Sequence, residues 1–135
     1  MDNRSLSDDG FLESIEQGLF SRGDTDHNWH LRLAWIHLKR APWPIALAEV
    51  VTTLRANQHI MALNERYHHT VTVATLRIMS QRLNEQPITD FAEFKQHNSD
   101  LVDDLAGILS QHYNLETLNS ATARRTFVSP DRKPL

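Results

Sequence analysis

Apolar side chains recur at three- and four-residue intervals along most of the chain, which is the spacing of amphipathic helices. The most apolar stretch runs from Asp24 to Arg40. Its two apolar faces consist of Leu31, Ala34, Trp35 and Leu38 on one side and of Trp29, Leu33 and Ile36 on the other. A helix with two apolar faces is covered from two sides. We therefore expect this stretch to form the central helix of the fold, starting at Thr25 or Asp26 and ending near Arg40.

The same spacing predicts further helices before and after the central one. They cover about residues 10–20, 44–57 with an extension toward Leu63, 64–84, a short segment after Thr89 or Asp90, a segment from Ser99 to Tyr113, and a last turn from Ser120 to Arg125. Residues 70–75 alternate like a strand, but the helix-forming flanks favour a helix. Residues 1–9 are polar and are expected to be flexible. The sequence therefore predicts an all-α, compact single-domain bundle (1–135) of about five to seven helices, with an extended tail over 127–135.

Composition narrows the class of protein. The 135 residues are 40% hydrophobic and 23% charged, as in ordinary soluble domains. A net charge of -3 argues against nucleic acid as a partner. The polar first ten residues do not resemble a signal peptide and no apolar run has the length of a membrane span, so we expect a cytoplasmic protein without a membrane partner. The absence of cysteine excludes disulfides and thiolate metal sites.

Histidine is the compositional exception, with eight residues in the chain. His27 and His30 are three apart on the central helix and face the same way. Glu65 and His68 have the same spacing at the predicted start of the fourth helix. Ligand pairs on facing helices are how metal sites in helical bundles are built. The sequence therefore predicts a divalent transition metal (Fe, Zn, Cu or Mn) bound by His27, His30 and His68, with His69 as a further candidate ligand.

Other polar residues near these histidines suggest chemistry on a small molecule. Arg66 is suited to binding a carboxylate or a phosphate, and Tyr67 can serve as an acid or a hydrogen-bond donor. Glu65 can orient a histidine that acts as a general base. Thr72 and Thr75 follow His68 on the same side of its helix and can line a pocket. The expected partner is a small-molecule substrate or ligand, with an anion favoured by the arginines, and a homodimer is left open.

Three segments resemble a group of small, largely uncharacterised bacterial all-helical proteins. They are H-x-x-H-L-R-L-A-W from His27 to Trp35, R-Y-H-H-T from Arg66 to Thr70, and R-R-T-F-V-x-P-D from Arg124 to Asp131. The resemblance implies that His27, His30 and His68 belong to one site. The similar segment of that group reads K-Y-H-E-T, so His69 stands where a glutamate is expected. The resemblance implies a site but no reaction.

Three functions remain open from the sequence. The first is a small metalloprotein, with the metal acting on a small molecule. The second is a metal-free enzyme that uses a histidine as general base, with Glu65 beside it. The third is a non-catalytic helical binding or interaction module whose histidines are structural or pH-sensing. We also expect the charges of Arg124 and Arg125 to meet an acidic cluster formed by Asp100, Asp103 and Asp104.

Overall fold

A computed structural model describes residues 6–62 and 66–135, and helices from both ranges contribute to one hydrophobic core. The α-helices are α1 (Asp8–Glu16), α2 (His27–Arg40), α3 (Trp43–Ala56), α4 (His69–Glu85), α5 (Phe91–His97), α6 (Ser99–Asp103), α7 (Leu105–Ser110), α8 (Leu115–Leu118) and α9 (Ala121–Arg125). No strand occurs within these two ranges, so the all-α prediction is confirmed. The described residues form more helices than the predicted five to seven, because one predicted segment is divided and short turns are added.

Helix α2 is central, as its two apolar faces predict. The Asp26 side chain caps it by accepting a hydrogen bond from the Trp29 backbone N–H at 2.9 Å. All residues from Leu31 to Ile36 are buried, and the helix contacts α3, α4 and α6. The helix therefore places both His27 and His30, in its first turn, at a junction of several elements.

Helix α1 is shorter than the predicted segment because Gly18 ends it. This glycine has a φ of 69°, a conformation that costs glycine little. Its N–H bonds to the Ile15 carbonyl, and the Leu19 N–H reaches back to the Ser14 carbonyl. These two bonds form a Schellman motif, which closes a helix.

Helix α4 begins at His69 and not at the predicted Asn64. Residues 66–68 are not helical, and His68 is the N-cap residue of α4. The predicted position of His68 inside the helix is therefore wrong, while the helical assignment of residues 70–75 is confirmed. The extension of α3 gives way to a 3₁₀ turn at Gln58–Ile60, and Leu63 lies outside the described residues.

The predicted helix from Ser99 to Tyr113 is interrupted at Asp104. The Asp104 side chain accepts a hydrogen bond from the Gly107 backbone N–H at 3.1 Å, which caps α7 and separates it from α6. Aspartate favours such caps over helix interiors. Asp100 forms a two-bond ion pair with Arg82, at 2.7 and 2.8 Å, so the acidic cluster meets α4 here and not the expected Arg124 and Arg125.

The C-terminal tail is extended and held by polar contacts, as predicted in outline. The Tyr113 hydroxyl donates to the Val128 carbonyl at 2.7 Å, and the Asp131 carboxylate accepts from the Asn114 backbone N–H at 2.8 Å. Helix α9, just before the tail, packs against α4. Within residues 6–62 and 66–135, no helix combines the length and apolar content that crossing a membrane requires.

Candidate functional site

One cavity of about 270 Å³ brings the predicted site residues together. Its walls come from α2, α3, α4, the segment before α4, and the C-terminal helices. The lining residues are His27, His30, Leu31, Val50, Leu54, Met61, Arg66, Tyr67, His68, Val71, Thr72, Thr75, Leu76, Leu105 and Arg124. Three of the four candidate metal ligands and two of the three candidate catalytic residues are therefore in one place.

His27 and His68 tie the cavity walls to the C-terminal half of the chain. Nε2–H of His27 donates to the Leu101 carbonyl at 2.8 Å, and Nε2–H of His68 donates to the Leu118 carbonyl at 2.7 Å. A carbonyl oxygen can only accept, so each ring carries a proton on Nε2. Both histidines thus fasten a helix start to a distant segment of backbone.

The second nitrogen of His68 is also used. Its Nδ1 accepts the Val71 backbone N–H at 3.2 Å, which caps α4. Burial lowers the pKa of His68, and the positive charge of Arg124 lowers it further, while the bond to the Leu118 carbonyl acts in the opposite direction. The ring is therefore held neutral and fully hydrogen-bonded, in a structural role.

His30 donates to a backbone carbonyl through its other ring nitrogen. Its Nδ1–H donates to the Asp26 carbonyl at 2.8 Å, one helical turn back. In the neutral ring this leaves Nε2 without a proton. Nε2 is the ring nitrogen farther from the backbone, so the unprotonated nitrogen of His30 lies at the outer end of its side chain.

Tyr67 and His69 form a hydrogen-bonded pair at one side of the cavity. Tyr67 lines the cavity, whereas His69 does not. Burial raises the pKa of Tyr67, and the Arg55 guanidinium, which lies 5.4 Å from the ring centroid, opposes that shift. Burial lowers the pKa of His69, and the charge of Arg55 lowers it further. Tyr67 is therefore a neutral phenol, and its one proton is available to the cavity in the arrangement in which His69 Nδ1–H donates to the phenol oxygen.

The sequence alone does not identify every residue of the cavity. It indicates a different role for Arg124 and does not place Leu105 at the site. Glu65, the expected carboxylate, lies outside the described residues. Arg124 lines the cavity, although the sequence predicts that its charge meets the acidic cluster. The only available signal was its place at the start of the R-R-T-F-V-x-P-D segment. Leu105, which closes the apolar wall from α7, belongs to the apolar face that the sequence predicts for its segment, and nothing in the sequence marks it as a cavity residue.

The predicted metal site stays a prediction. Among the residues that the structure describes, no group of three or more histidine, aspartate or glutamate side chains is arranged to hold a metal ion. Coordination by His68 requires breaking its bond to Val71 or to Leu118. His27 and His30 each keep one ring nitrogen unprotonated in the neutral form.

Replacement of His68 separates its capping role from its contact with Leu118. We expect His68→Asn to lower the free energy of unfolding by about 1 kcal/mol, because asparagine still caps the helix but loses the Leu118 bond. His68→Ala loses both and should cost about 1 kcal/mol more. Urea denaturation at pH 7.5 measures both values, and equal losses in the two variants would rule out the capping role.

The same variants predict a change in pH dependence. Because the pKa of His68 is lower in the folded state than its usual 6.5, the unfolded chain takes up a proton first as the pH falls. The contribution of His68 to the free energy of unfolding is therefore fully present above about pH 6.5. It is lost as the pH falls through the lowered pKa of the folded state. His68→Asn should reduce the decline of the free energy of unfolding with falling pH but not remove it, because burial also lowers the pKa of His37. If the free energy of unfolding falls equally with pH in His68→Asn and in the native protein, His68 is not held neutral by burial.

Comparison with known proteins gives no information about the site. No family model matches the sequence, and no curated protein and no solved structure shows significant similarity to it. The resemblance to the bacterial helical group, and the shared site that it implies, therefore stay predictions.

Proposed function

We propose that this protein binds a small organic anion with an apolar portion in the histidine-lined cavity and exchanges a proton with it through His30. The observation that carries the proposal is the lining of one cavity by an apolar wall, two arginines and three histidines. Ligand sites are typically apolar clefts with a few converging polar groups. The alternative of a non-catalytic module requires no such convergence.

The apolar part of the cavity sets the size of the ligand. Leu31, Val50, Leu54, Leu76 and Leu105 supply aliphatic surface from four helices. The volume of about 270 Å³ exceeds the roughly 150 Å³ of an apolar cavity that binds benzene. A chain of about six carbons is therefore a suitable occupant.

Polar groups at the wall favour a negatively charged ligand. Arg66 and Arg124 are both exposed and both line the cavity, so a carboxylate or phosphate can reach them from inside. The Thr75 hydroxyl is buried and has no hydrogen-bond partner among the described residues. A buried hydroxyl without a partner is costly, and a polar atom of a ligand can satisfy it.

His30 is the candidate general base. Its Nδ1–H bond to the Asp26 carbonyl fixes the tautomer, as a carboxylate or carbonyl does for catalytic histidines. A proton leaving the bound ligand would go to Nε2 of His30, giving an imidazolium that the Asp26 carbonyl stabilises. The Tyr67 phenol, kept neutral by its raised pKa, can donate a hydrogen bond to the ligand when His69 Nδ1–H is the donor within the Tyr67–His69 pair.

The experiment that tests the proposal is a calorimetric titration with hexanoate as the probe. We expect one site per chain with a dissociation constant of about 0.1–1 mM, typical for a ligand of this size. Leu105→Trp places a large ring in the cavity from its half-buried edge. The affinity for hexanoate should fall at least tenfold in this variant.

Leu115→Trp is the matched control, because Leu115 is 73% exposed and lies outside the cavity. Its affinity for hexanoate should stay within twofold of the native value. Equal loss in both tryptophan variants, or no saturable binding to the native protein, would refute the proposal.

A metal centre is the second candidate, and one observation favours it. His27 and His30 each donate one ring N–H to a backbone carbonyl, which is how metal-ligating histidines are usually oriented. Elemental analysis of protein purified without a histidine tag distinguishes this candidate from the metal-free one.

A further inference from the structure

A second depression, of about 500 Å³, adjoins the cavity. We call it the arginine vestibule, and it is lined by Arg22, Gln58, His59, Met61, Arg66, Tyr67 and Arg124. Met61, Arg66, Tyr67 and Arg124 line the cavity as well. The two spaces therefore share a wall, and one ligand can extend from one into the other.

The charge of the arginine vestibule is opposite to that of the chain. The sequence has 17 acidic and 14 basic residues, counting lysine and arginine. Among the described residues, the vestibule lining nevertheless contains three arginines and no carboxylate. In the described parts of the chain, none of these three arginines forms an ion pair with an aspartate or glutamate. Three like charges on one concave surface repel each other, so an anion at this position is stabilised.

The arginines come from three separate segments, and contacts with the rest of the fold hold two of these segments in place. Arg22 donates from Nε to the His59 carbonyl at 3.3 Å. The nearby Thr25 hydroxyl donates to the Ile60 carbonyl at 2.8 Å, which holds the same loop against the 3₁₀ turn. Arg124 lies on α9, which packs against α4. The fold therefore fixes the positions of the segments that carry Arg22 and Arg124.

We propose that the ligand of the cavity carries a phosphoryl group that binds in the arginine vestibule, while its short apolar portion occupies the cavity. This inference rests on the proposed function and names the class of ligand. A phosphate group has three oxygens and up to two negative charges, so it can engage three guanidinium groups, whereas a carboxylate engages one or two. Arg22 lines only the vestibule, so it distinguishes the two kinds of head group.

The test compares three probes at constant ionic strength, which keeps screening equal: hexanoate, hexyl phosphate and inorganic phosphate. We expect hexyl phosphate to bind the native protein at least tenfold more tightly than hexanoate, and inorganic phosphate to compete with it. Arg22→Gln should weaken hexyl phosphate about tenfold and change hexanoate less than twofold. Arg22→Lys, which keeps the charge without the planar fork, should lie between. Arg125→Gln, at an exposed position outside both spaces, should leave both affinities unchanged.

Two outcomes overturn this inference without touching the proposed function. Equal affinities for hexanoate and hexyl phosphate in the native protein would show that the vestibule does not bind the head group. A hexyl phosphate affinity unchanged in Arg22→Gln would show the same. If hexyl phosphate binds equally well to Leu105→Trp, its apolar portion is not in the cavity, and the inference fails. If neither probe binds, the proposed function fails as well.

Discussion

Trp29→Ala should lower the free energy of unfolding by about 3–5 kcal/mol, because it removes the largest fully buried side chain of α2. The Trp29 ring lies 5.8 Å from Phe11 and 6.0 Å from Phe20, measured between ring centroids. It also contacts the imidazole of His30 edge-on at 5.1 Å. Urea denaturation measures the loss, and hexanoate affinity should fall as well, since His30 loses its packing partner.

Trp29→Phe is the matched control for this substitution. The Trp29 indole nitrogen is buried without a hydrogen-bond partner among the described residues, so phenylalanine removes no hydrogen bond. Losing an unpartnered N–H offsets part of the lost packing, and we expect a cost of only about 1 kcal/mol. Losses of similar size in Trp29→Phe and Trp29→Ala would contradict the packing role assigned to the ring.

Thr70→Val should lower the free energy of unfolding by about 2–3 kcal/mol, because it leaves two backbone groups unpaired. The fully buried Thr70 hydroxyl donates to the Thr126 carbonyl at 2.9 Å and accepts from the Val128 N–H at 3.1 Å. These bonds fasten the start of the tail to α4. Their loss should also weaken hexanoate binding, because Arg124 lies just before the fastened segment.

Thr70→Ser keeps the hydroxyl and removes only a methyl group, so it isolates the hydrogen bonds from packing. We expect a cost of about 1 kcal/mol and an unchanged affinity for hexanoate. If the serine and valine variants lose the same stability in urea, the hydroxyl does not hold the tail.

The main helices could be predicted from the sequence because their signals are local. The two apolar faces between Leu31 and Leu38 and the Asp26 cap belong to α2 itself. The boundaries that failed depend on contacts beyond the helix concerned or on competing caps. His68 begins α4 because its ring bonds both to Val71 and to the Leu118 carbonyl, 50 residues away. Helical spacing cannot reveal such a partner.

Several side chains that line the cavity could be predicted from the sequence. The hydrogen bonds that each of them forms could not. The spacing of His27 and His30, and the nearness of Arg66 and Tyr67 to His68, indicated side chains that the fold does bring to one cavity. Which ring nitrogen each histidine uses depends on carbonyls far along the chain, such as that of Leu101. Arg22 could not be identified either, because the loop that carries it meets the vestibule only through contacts with His59 and Ile60.

Whether the cavity binds an organic anion without a metal is tested by repeating the hexanoate titration on protein treated with a chelator to remove bound metal. We expect saturable binding at one site per chain, with an affinity at least tenfold lower in Leu105→Trp and within twofold of the native value in Leu115→Trp. Binding that disappears with the chelator and returns on addition of zinc or iron would contradict the metal-free account and favour a metal centre at His27 and His30.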